Sequence, residues 1–382
     1  MNILVDIGHT PQLNFYKSLI LQLAAKGNHV YVAVLKRGRL PQIAAHELGT
    51  VENVTVVPIG RHRMSKISAI IESNLLRVVM MYFWSIGKHI DVVLSNGVVA
   101  HMVGWMHHVP CYAFDDDPQV WDYRPKLFFC NQSCYCIYES DKPLSPKAKI
   151  LRCTKEWAYL APKYFNPNPL VLEKYGVQPK EYVFLREVSV GTVNYAGQAS
   201  GAILGIQDLI PQDKKVLFSL EEKDKRHLYP KEWILLQEPI EDIHSLIYYS
   251  AGLVSSGDSM AREAALLGVP SYYLGIRYDM PANAAAAKVA NLQNQKTADF
   301  ATWVKNLSIA PEEAEQQQIA LRQHIDEEFI DINAYMMALV EQVGVSNHGR
   351  HRLTHKRGEY FQPRTGTDEH GNAEYVERQY RQ

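Results

Sequence analysis

At 382 residues the chain is long enough for two or three domains with an ample core. Its 47% apolar and 21% charged content is that of a folded, soluble protein and excludes a disordered or fibrous chain. A net charge of −1 leaves no global attraction for a polyanion, which argues against a nucleic-acid binder.

The opening residues enter a strand directly, Ile3–Val5, with no basic segment and apolar run ahead of it, so a cytoplasmic protein without a secretory leader is expected. A helix from about Gln12 to Lys26, a strand His29–Val34, a helix Pro41–Leu48 and a strand Val54–Pro58 follow. The stretch from about Met64 to Lys88 reads as one long amphipathic helix. Its most apolar part, Ile67–Ile86, is interrupted by Glu72, Asn74, Arg77 and Ser85 and falls short of a bilayer-spanning segment. Strands Asp91–Leu94, Val109–Ala113 and Cys134–Tyr138 complete the first half.

Asn166–Pro169 and Pro179–Glu181 break the pattern, and a second alternation begins. It comprises strands Tyr182–Leu185, Val216–Ser219 and Trp233–Leu236, a helix Ile240–Tyr249, a strand Gly252–Val254, a helix Met260–Leu267 and a strand Ser271–Leu274. Such alternation places parallel sheets under helices on both faces. The expected class is α/β, with two Rossmann-like doubly wound domains, residues 1–165 and 166–344, facing each other across a cleft. From 345 to 382 aliphatic residues thin out and a polar, disordered tail is expected. Cysteines 111, 130, 134, 136 and 153 form an odd set without metal-site spacing and read as reduced, buried thiols.

The most informative stretch is Leu253–Pro270, a strand feeding a small-residue turn, Ser255–Ser259, into a helix stopped by Gly268 and Pro270. Such a turn gathers backbone N–H groups and the positive end of a helix dipole at one point, which suits a diphosphate. Ser256, Gly257, Asp258, Ser259 and Met260 are therefore candidate binding residues. Glu263, about one turn further on, is placed to accept hydrogen bonds from ribose hydroxyls as a cleft carboxylate outside the core; the plain alternative is an ordinary βα turn with a surface Glu.

Gly8 and His9 follow the first strand. Gly8 lets the backbone approach a ligand closely, and His9 is suited to proton transfer. Asp115, Asp116 and Asp117 follow the strand ending at Ala113; three adjacent carboxylates imply solvation, a raised pKa or a cation, and Asp116 or Asp117 is the candidate base. A metal site there is the less favoured reading. Arg186 can clamp phosphate oxygens, His244 can face a base or a phosphate, and Glu221 and Glu222 are expected on the solvated rim. Arg61–Arg63 and Lys66 suit an anionic membrane surface, although a core-facing crossover helix with a basic loop is the better reading.

Six segments in order resemble the DUF354 family, glycosyltransferase-like proteins related to MurG-type glycosyltransferases and UDP-GlcNAc 2-epimerases. They are Asp6–Tyr16, Ala113–Pro118, Tyr159–Pro169, Tyr182–Arg186, Glu238–His244 and Met260–Pro270, together spanning roughly residues 1–340. The chain departs from the family in the Ser255-Ser-Gly-Asp-Ser-Met260 turn, in an acidic turn without its Glu-His, and in lacking the epimerases' HRREN-like signature, where only Arg186-Glu187 stands. The resemblance implies a GT-B fold and a metal-independent, cofactor-free glycosyltransferase. It would move a sugar from a nucleotide-sugar donor, UDP-linked by expectation, to a glycan or lipid-linked acceptor in cell-surface polysaccharide synthesis, in peripheral contact with the inner membrane surface at most. In that reading Ser256–Met260 and Arg186 hold the diphosphate, Glu263 the ribose, and His9 with Asp116 and Asp117 the acceptor. The alternatives are a UDP-GlcNAc 2-epimerase-like enzyme and a non-catalytic sugar-nucleotide-binding scaffold.

Overall fold

Runs such as Ile3-Leu4-Val5 and Val92-Val93-Leu94 are buried on both faces, the environment of a parallel strand between two helix layers. The computed structural model describes residues 1–61, 75–118, 124–140, 145–191, 195, 197–237, 240, 242–349, 366–367 and 373–374. In the first half, β1 (Asn2–Ile7), β2 (His29–Lys36), β3 (Val54–Arg61), β4 (Val92–Ser95), β5 (Cys111–Asp115), β6 (Gln132–Cys136) and β7 (Ala148–Leu151) form a seven-stranded parallel sheet. Its order is β3-β2-β1-β4-β5-β6-β7. Ile3 and Val5 pack with α1 (Thr10–Ala25) and α2 (Leu40–Leu48) on one face, and Leu4 packs with α3 (Arg77–Ser85) and α4 (Val98–Met106) on the other. Beyond α4 come α5 (Arg124–Phe129) and α6 (Trp157–Leu160).

In the second half, β8 (Tyr182–Glu187), β9 (Lys215–Leu220), β10 (Ile234–Leu235), β11 (Gly252–Ser255), β12 (Ser271–Tyr273) and β13 (Gln293–Asn294) form a six-stranded parallel sheet ordered β10-β9-β8-β11-β12-β13. Its helices include α7 (Ile243–Tyr248), α8 (Asp258–Leu266) and α9 (Pro281–Val289). The two Rossmann-like parallel-sheet domains are those expected.

Strand order reverses between β1 and β4 in one sheet and between β8 and β11 in the other, so ligand crevices open at the carboxyl ends there. Both switch points carry the same turn. Ser95 Oγ accepts from the Gly97 N–H at 3.0 Å after β4, and Ser255 Oγ from the Gly257 N–H at 3.0 Å after β11. Only glycine fits at 257, because a Cβ there would come within 2.6 Å of Val188 Cγ1. Gly268, at φ 74°, ends the α8 segment in the left-handed region.

Several boundaries differ from expectation. The helix α8 starts at Asp258 rather than Met260, with Gly257 in the N-cap position and no side-chain cap bond; the Asp258 carboxylate accepts from the adjacent Ser259 N–H at 3.0 Å. The helix expected from Ile240 is the shorter α7, started by Asp242 in the left-handed region with its side chain accepting from the Ser245 N–H. Of the long helix expected from Met64, α3 is the described part; residues 62–74, with Arg63 and Lys66, lie outside the described residues. Two further helices, α10 (Phe300–Trp303) and α11 (Pro311–Glu328), precede α12 (Ile332–Gly349), which runs past the boundary expected at 344 and returns to the first domain. There Tyr335 Oη donates to Gln132 Oε1 at 3.2 Å and Lys26 pairs with Glu341 at 2.6 Å. Most of the expected tail, from 350 onward, lies outside the described residues. All five cysteines are buried and unpaired.

One buried group makes the first domain acid-sensitive. His101 on α4 is fully buried, with Nδ1 2.6 Å from the Gly97 carbonyl oxygen. Burial pushes its pKa down to about 4 from 6.5. The unfolded chain therefore takes up a proton that the folded one refuses, so the contribution is intact above pH 6.5 and falls away toward pH 4, by on the order of 3 kcal/mol at the lower limit. Urea melts across that window should show His101→Gln to be less pH-dependent than the wild type; parallel curves would refute the assignment.

Candidate functional site

The first domain's contribution lies at the carboxyl ends of β1, β4 and β5. The Gly8 N–H donates to Gln12 Oε1 at 2.6 Å, and the next residue, His9, caps α1. Burial, with Lys155 and Arg37 nearby, pushes the His9 pKa down to about 4 against the opposing pull of Asp116, so the imidazole is neutral at physiological pH. After β4, Asn96 is 4% exposed and neither amide atom has a partner among the described residues.

The acidic turn is organised by lysines. Asp115 is buried against Lys126; burial raises its pKa to about 6 despite the opposing charges of Lys126 and Lys155. Asp116 accepts a salt bridge from Lys155 Nζ at 3.0 Å. Burial alone would raise its pKa, but Lys155 and Arg262 outweigh it and hold the carboxyl well below the usual range. Asp116 is thus a locked carboxylate of low basicity, a correction to its expected role as the free base. Asp117 is half-buried beside it. Among the described residues, no group of three or more His, Cys, Asp or Glu is arranged to hold a metal ion.

The second domain's contribution is the Ser255–Gly257 turn and the head of α8. Its expected free N–H groups are partly spoken for: Gly257 donates to Ser255 Oγ, and Ser259 to Asp258 Oδ1. Ser256 Oγ accepts from the Val188 N–H at 2.9 Å. Asp258, 2% exposed, fills the positive end of the helix with the chain's own carboxylate, held also by Tyr195 Oη at 3.2 Å and Arg277 at 3.0 Å. Asp258 is therefore an organiser of arginines rather than a phosphate contact. Met260 is only partly buried and packs on the core.

Arg186 also differs from expectation. At the end of β8 it is ion-paired with Glu221 and donates to Ser219 Oγ at 2.6 Å, because β9 is its neighbour strand. Its charge is committed within its own sheet, and its partner Glu221 is an exposed carboxylate, as expected of a rim group.

Arg262 joins the two domains. Nε donates to Glu156 Oε1 at 2.9 Å and Nη1 to Asn283 Oδ1 at 2.6 Å, with Asp258 at 3.5 Å and Asp116 at 3.8 Å from the guanidinium. Beside it, Glu263 Oε1 accepts from Tyr159 Oη at 2.7 Å and lies 3.3 Å from His244 Nε2. Burial opposes ionisation of Glu263, but His244 and Tyr159 more than compensate and lower its pKa. Glu263 and His244, expected separately, are thus partners, and Glu263 is a buried junction residue rather than an open cleft carboxylate.

Local reading missed Lys155, Glu156, Tyr159, Arg262 and Arg277. One signal was present: Arg262 and Glu263 are the only charged residues between Met260 and Pro270.

Two Rossmann-like domains whose carboxyl edges meet in this way have the GT-B fold. No protein-family model matches the sequence, and no curated protein does. Solved structures do match. UDP-GlcNAc 2-epimerase from Neisseria meningitidis bound to UDP-GlcNAc aligns at 14% identity over 91% of this chain and 100% of that one, with a TM-score of 0.59. The glycosyltransferase SnogD from Streptomyces nogalater aligns at 14% identity over 90% and 100%, TM-score 0.59. The spinosyn rhamnosyltransferase SpnG complexed with thymidine diphosphate aligns at 13% over 89% and 100%, TM-score 0.57. Likeness at such identities shows the fold alone.

Proposed function

We propose that the chain is a glycosyltransferase of the DUF354 type that takes a nucleotide sugar, UDP-linked, and transfers the sugar to a glycan or lipid-linked acceptor. The observation that carries this reading is the junction itself: Asp116, on the His9 edge of one domain, stands against Arg262 of α8 in the other. The nucleotide lies on the second domain, with its diphosphate near the Ser256–Gly257 turn and Arg277 and its ribose replacing Tyr159 or His244 as a partner of Glu263. His9 takes the acceptor proton, and Asp116 and Asp117 keep that edge anionic. The fold neighbours support a nucleotide-sugar partner, since they include complexes with UDP-GlcNAc and thymidine diphosphate.

Calorimetric titration of UDP into wild type, Glu263→Ala and Glu263→Gln tests the nucleotide half. Losing a charge-assisted contact of about 1.5–3 kcal/mol predicts affinity roughly ten- to a hundredfold weaker for Glu263→Ala. The alanine variant should also melt earlier, because Tyr159 and His244 lose their acceptor; the glutamine variant keeps an acceptor for Tyr159 and separates the two effects. Equal affinity in all three proteins would sink the ribose assignment. Thermal stabilisation by no UDP-, GDP-, TDP- or CMP-compound at millimolar levels would sink the nucleotide reading as a whole.

A second reading, epimerisation at a sugar carbon, is favoured by Glu187. This buried carboxyl at the end of β8 has its pKa raised by burial and an Oε1 without a hydrogen-bond partner among the described residues. NMR of the nucleotide sugar without acceptor decides between them, a C2 epimer appearing only under the second.

A further inference from the structure

The second domain holds a cavity that the proposed reaction does not use. It lies at the amino edge of the second sheet, where β12 and β13 begin, and so on the side away from the junction at the carboxyl ends. Its volume is about 340 Å³, within the range of small-molecule sites. The fold fixes two of its sides. Gln318 of α11, 2% exposed, donates from Nε2 to the Leu267 carbonyl at 2.8 Å and accepts at Oε1 from Lys180 Nζ at 2.6 Å. The backbone there already touches Gly268, where a Cβ would come within 2.6 Å of the Gln318 carbonyl oxygen, so α11 cannot settle closer to the sheet. On the other side Trp303 of α10 is wedged against Phe300 and Tyr272, ring centroids 5.5 and 5.3 Å away. The space between these walls is therefore part of the packed structure.

The lining chooses among ligands. Val269 and Leu321 supply an apolar floor, and Asn291, Gln293, Asn306 and Gln317 bring four side-chain amides to the cavity. In a chain that is 21% charged, none of the lining side chains carries a charge. Carboxylates stand just outside and hold lining groups in place: Glu313 Oε1 accepts from Gln317 Nε2 at 3.1 Å, and Asp299 Oδ2 from Thr302 Oγ1 at 3.3 Å. Glu312 and Glu313 also occupy the first turn of α11, so the positive end of that helix is already compensated. A phosphate or nucleotide finds no cation here and meets carboxylates at the entrance. A metal ion finds no carboxylate, thiolate or imidazole in the lining. Amides offer both donors and acceptors, which matches hydroxyl groups that do the same. A pyranose supplies such hydroxyls around its edge and C–H faces for the apolar floor.

We propose that this cavity is a second ligand site, one that binds an uncharged oligosaccharide. Identifying that saccharide with the acceptor or product glycan rests on the transferase reading; the binding site itself does not. Asn306, exposed in the turn after α10, and Gln317, one helical turn beyond Ala314, stand at its entrance.

Saturation-transfer NMR of the full-length protein with chitotetraose, maltotetraose and cellotetraose tests this. At least one of the three should receive saturation from the wild type. Ala314→Trp places an indole in the cavity and should abolish the transfer, while thermal stabilisation by UDP stays as in the wild type. Asn306→Ala removes one exposed amide without touching the core, and should keep the wild-type melting temperature while weakening the saccharide roughly three- to tenfold. No transfer to any of the three saccharides would overturn the proposal. So would unchanged transfer in folded Ala314→Trp, which assigns the saccharide to the junction, or unchanged affinity in Asn306→Ala. Saccharide binding that Ala314→Trp abolishes, in a protein that no nucleotide sugar stabilises, would uphold this site and sink the transferase reading instead.

Discussion

Arg262→Ala should lower the melting temperature by about 10 °C, the largest stability effect expected from any single side chain in the molecule. Arg262 is 3% exposed and faces Glu156, Asp258 and Asp116, so removing it strands carboxylates rather than merely deleting a contact. Breaking a buried pair from one side costs roughly 3–5 kcal/mol, because the remaining charge stays desolvated. The three partners are not equally hurt. Asp258 retains Arg277, and Asp116 retains Lys155. Glu156, 5% exposed with Oε2 already unpartnered, retains nothing comparable. Replacement of both partners, Arg262→Leu with Glu156→Leu, should recover much of the loss. Scanning fluorimetry of the three proteins reads both effects. A melting point within about 2 °C of wild type for Arg262→Ala would show that the ion pairs do not hold the domains together.

How much of this was legible follows from the range over which each feature is encoded. The strands β1, β2, β4, β8 and β11 were readable because each is a short apolar run followed by a helix or a turn, a pattern complete within a dozen residues. The α8 segment was readable to its end because Gly268 and Pro270 stop it. Its start was not, since the helix opens after Gly257, an N-cap position with no side-chain capping bond to announce it. The edge strand Ala148–Leu151 was missed: only Leu151 is fully buried, and Lys149 interrupts the apolar run.

At the site, the Ser255–Gly257 turn and Glu263 were found from local chemistry, but their environments were not. The carboxylate at the helix head, the Arg186–Glu221 pair and the lysine clamp on Asp116 all depend on which strands lie side by side. The central pair, Glu156 and Arg262, is 106 residues apart in sequence, and no local pattern announces it. The sequence does mark one of the two, a charge in an alanine-rich helix, and a mid-helix charge of that kind at a domain's inner edge is the signal to pursue.

Loss of His9 should have the largest effect on chemistry. If the acceptor proton passes to its imidazole, His9→Ala should lower the turnover rate by about 10²–10⁴-fold, the usual worth of a positioned general base. The imidazole is neutral at physiological pH because burial, Lys155 and Arg37 disfavour its charged form, so it stands unprotonated, though the same shift makes it a weaker base than an ordinary histidine. Asp116 is the weaker candidate, since Lys155 and Arg262 stabilise its ionised form and leave it little proton affinity. Its effect on His9 is electrostatic: Asp116 raises the His9 pKa against the nearby cations, so Asp116→Asn should lower the rate less than His9→Ala by making the imidazole a poorer base. UDP affinity should hold in both variants, because the proposed nucleotide contacts belong to the other domain. The pH profile supplies the check that a structural role would not reproduce. With a His9 pKa of about 4, kcat/KM should stay flat well into the acid range before it falls, whereas an ordinary histidine would break the profile near 6.5. The rate is measured as UDP release from whichever UDP-sugar stabilises the protein. A His9→Ala enzyme within about threefold of wild type, on the scale of general-base effects, would remove His9 from the chemistry and leave Asp117 as the candidate to test.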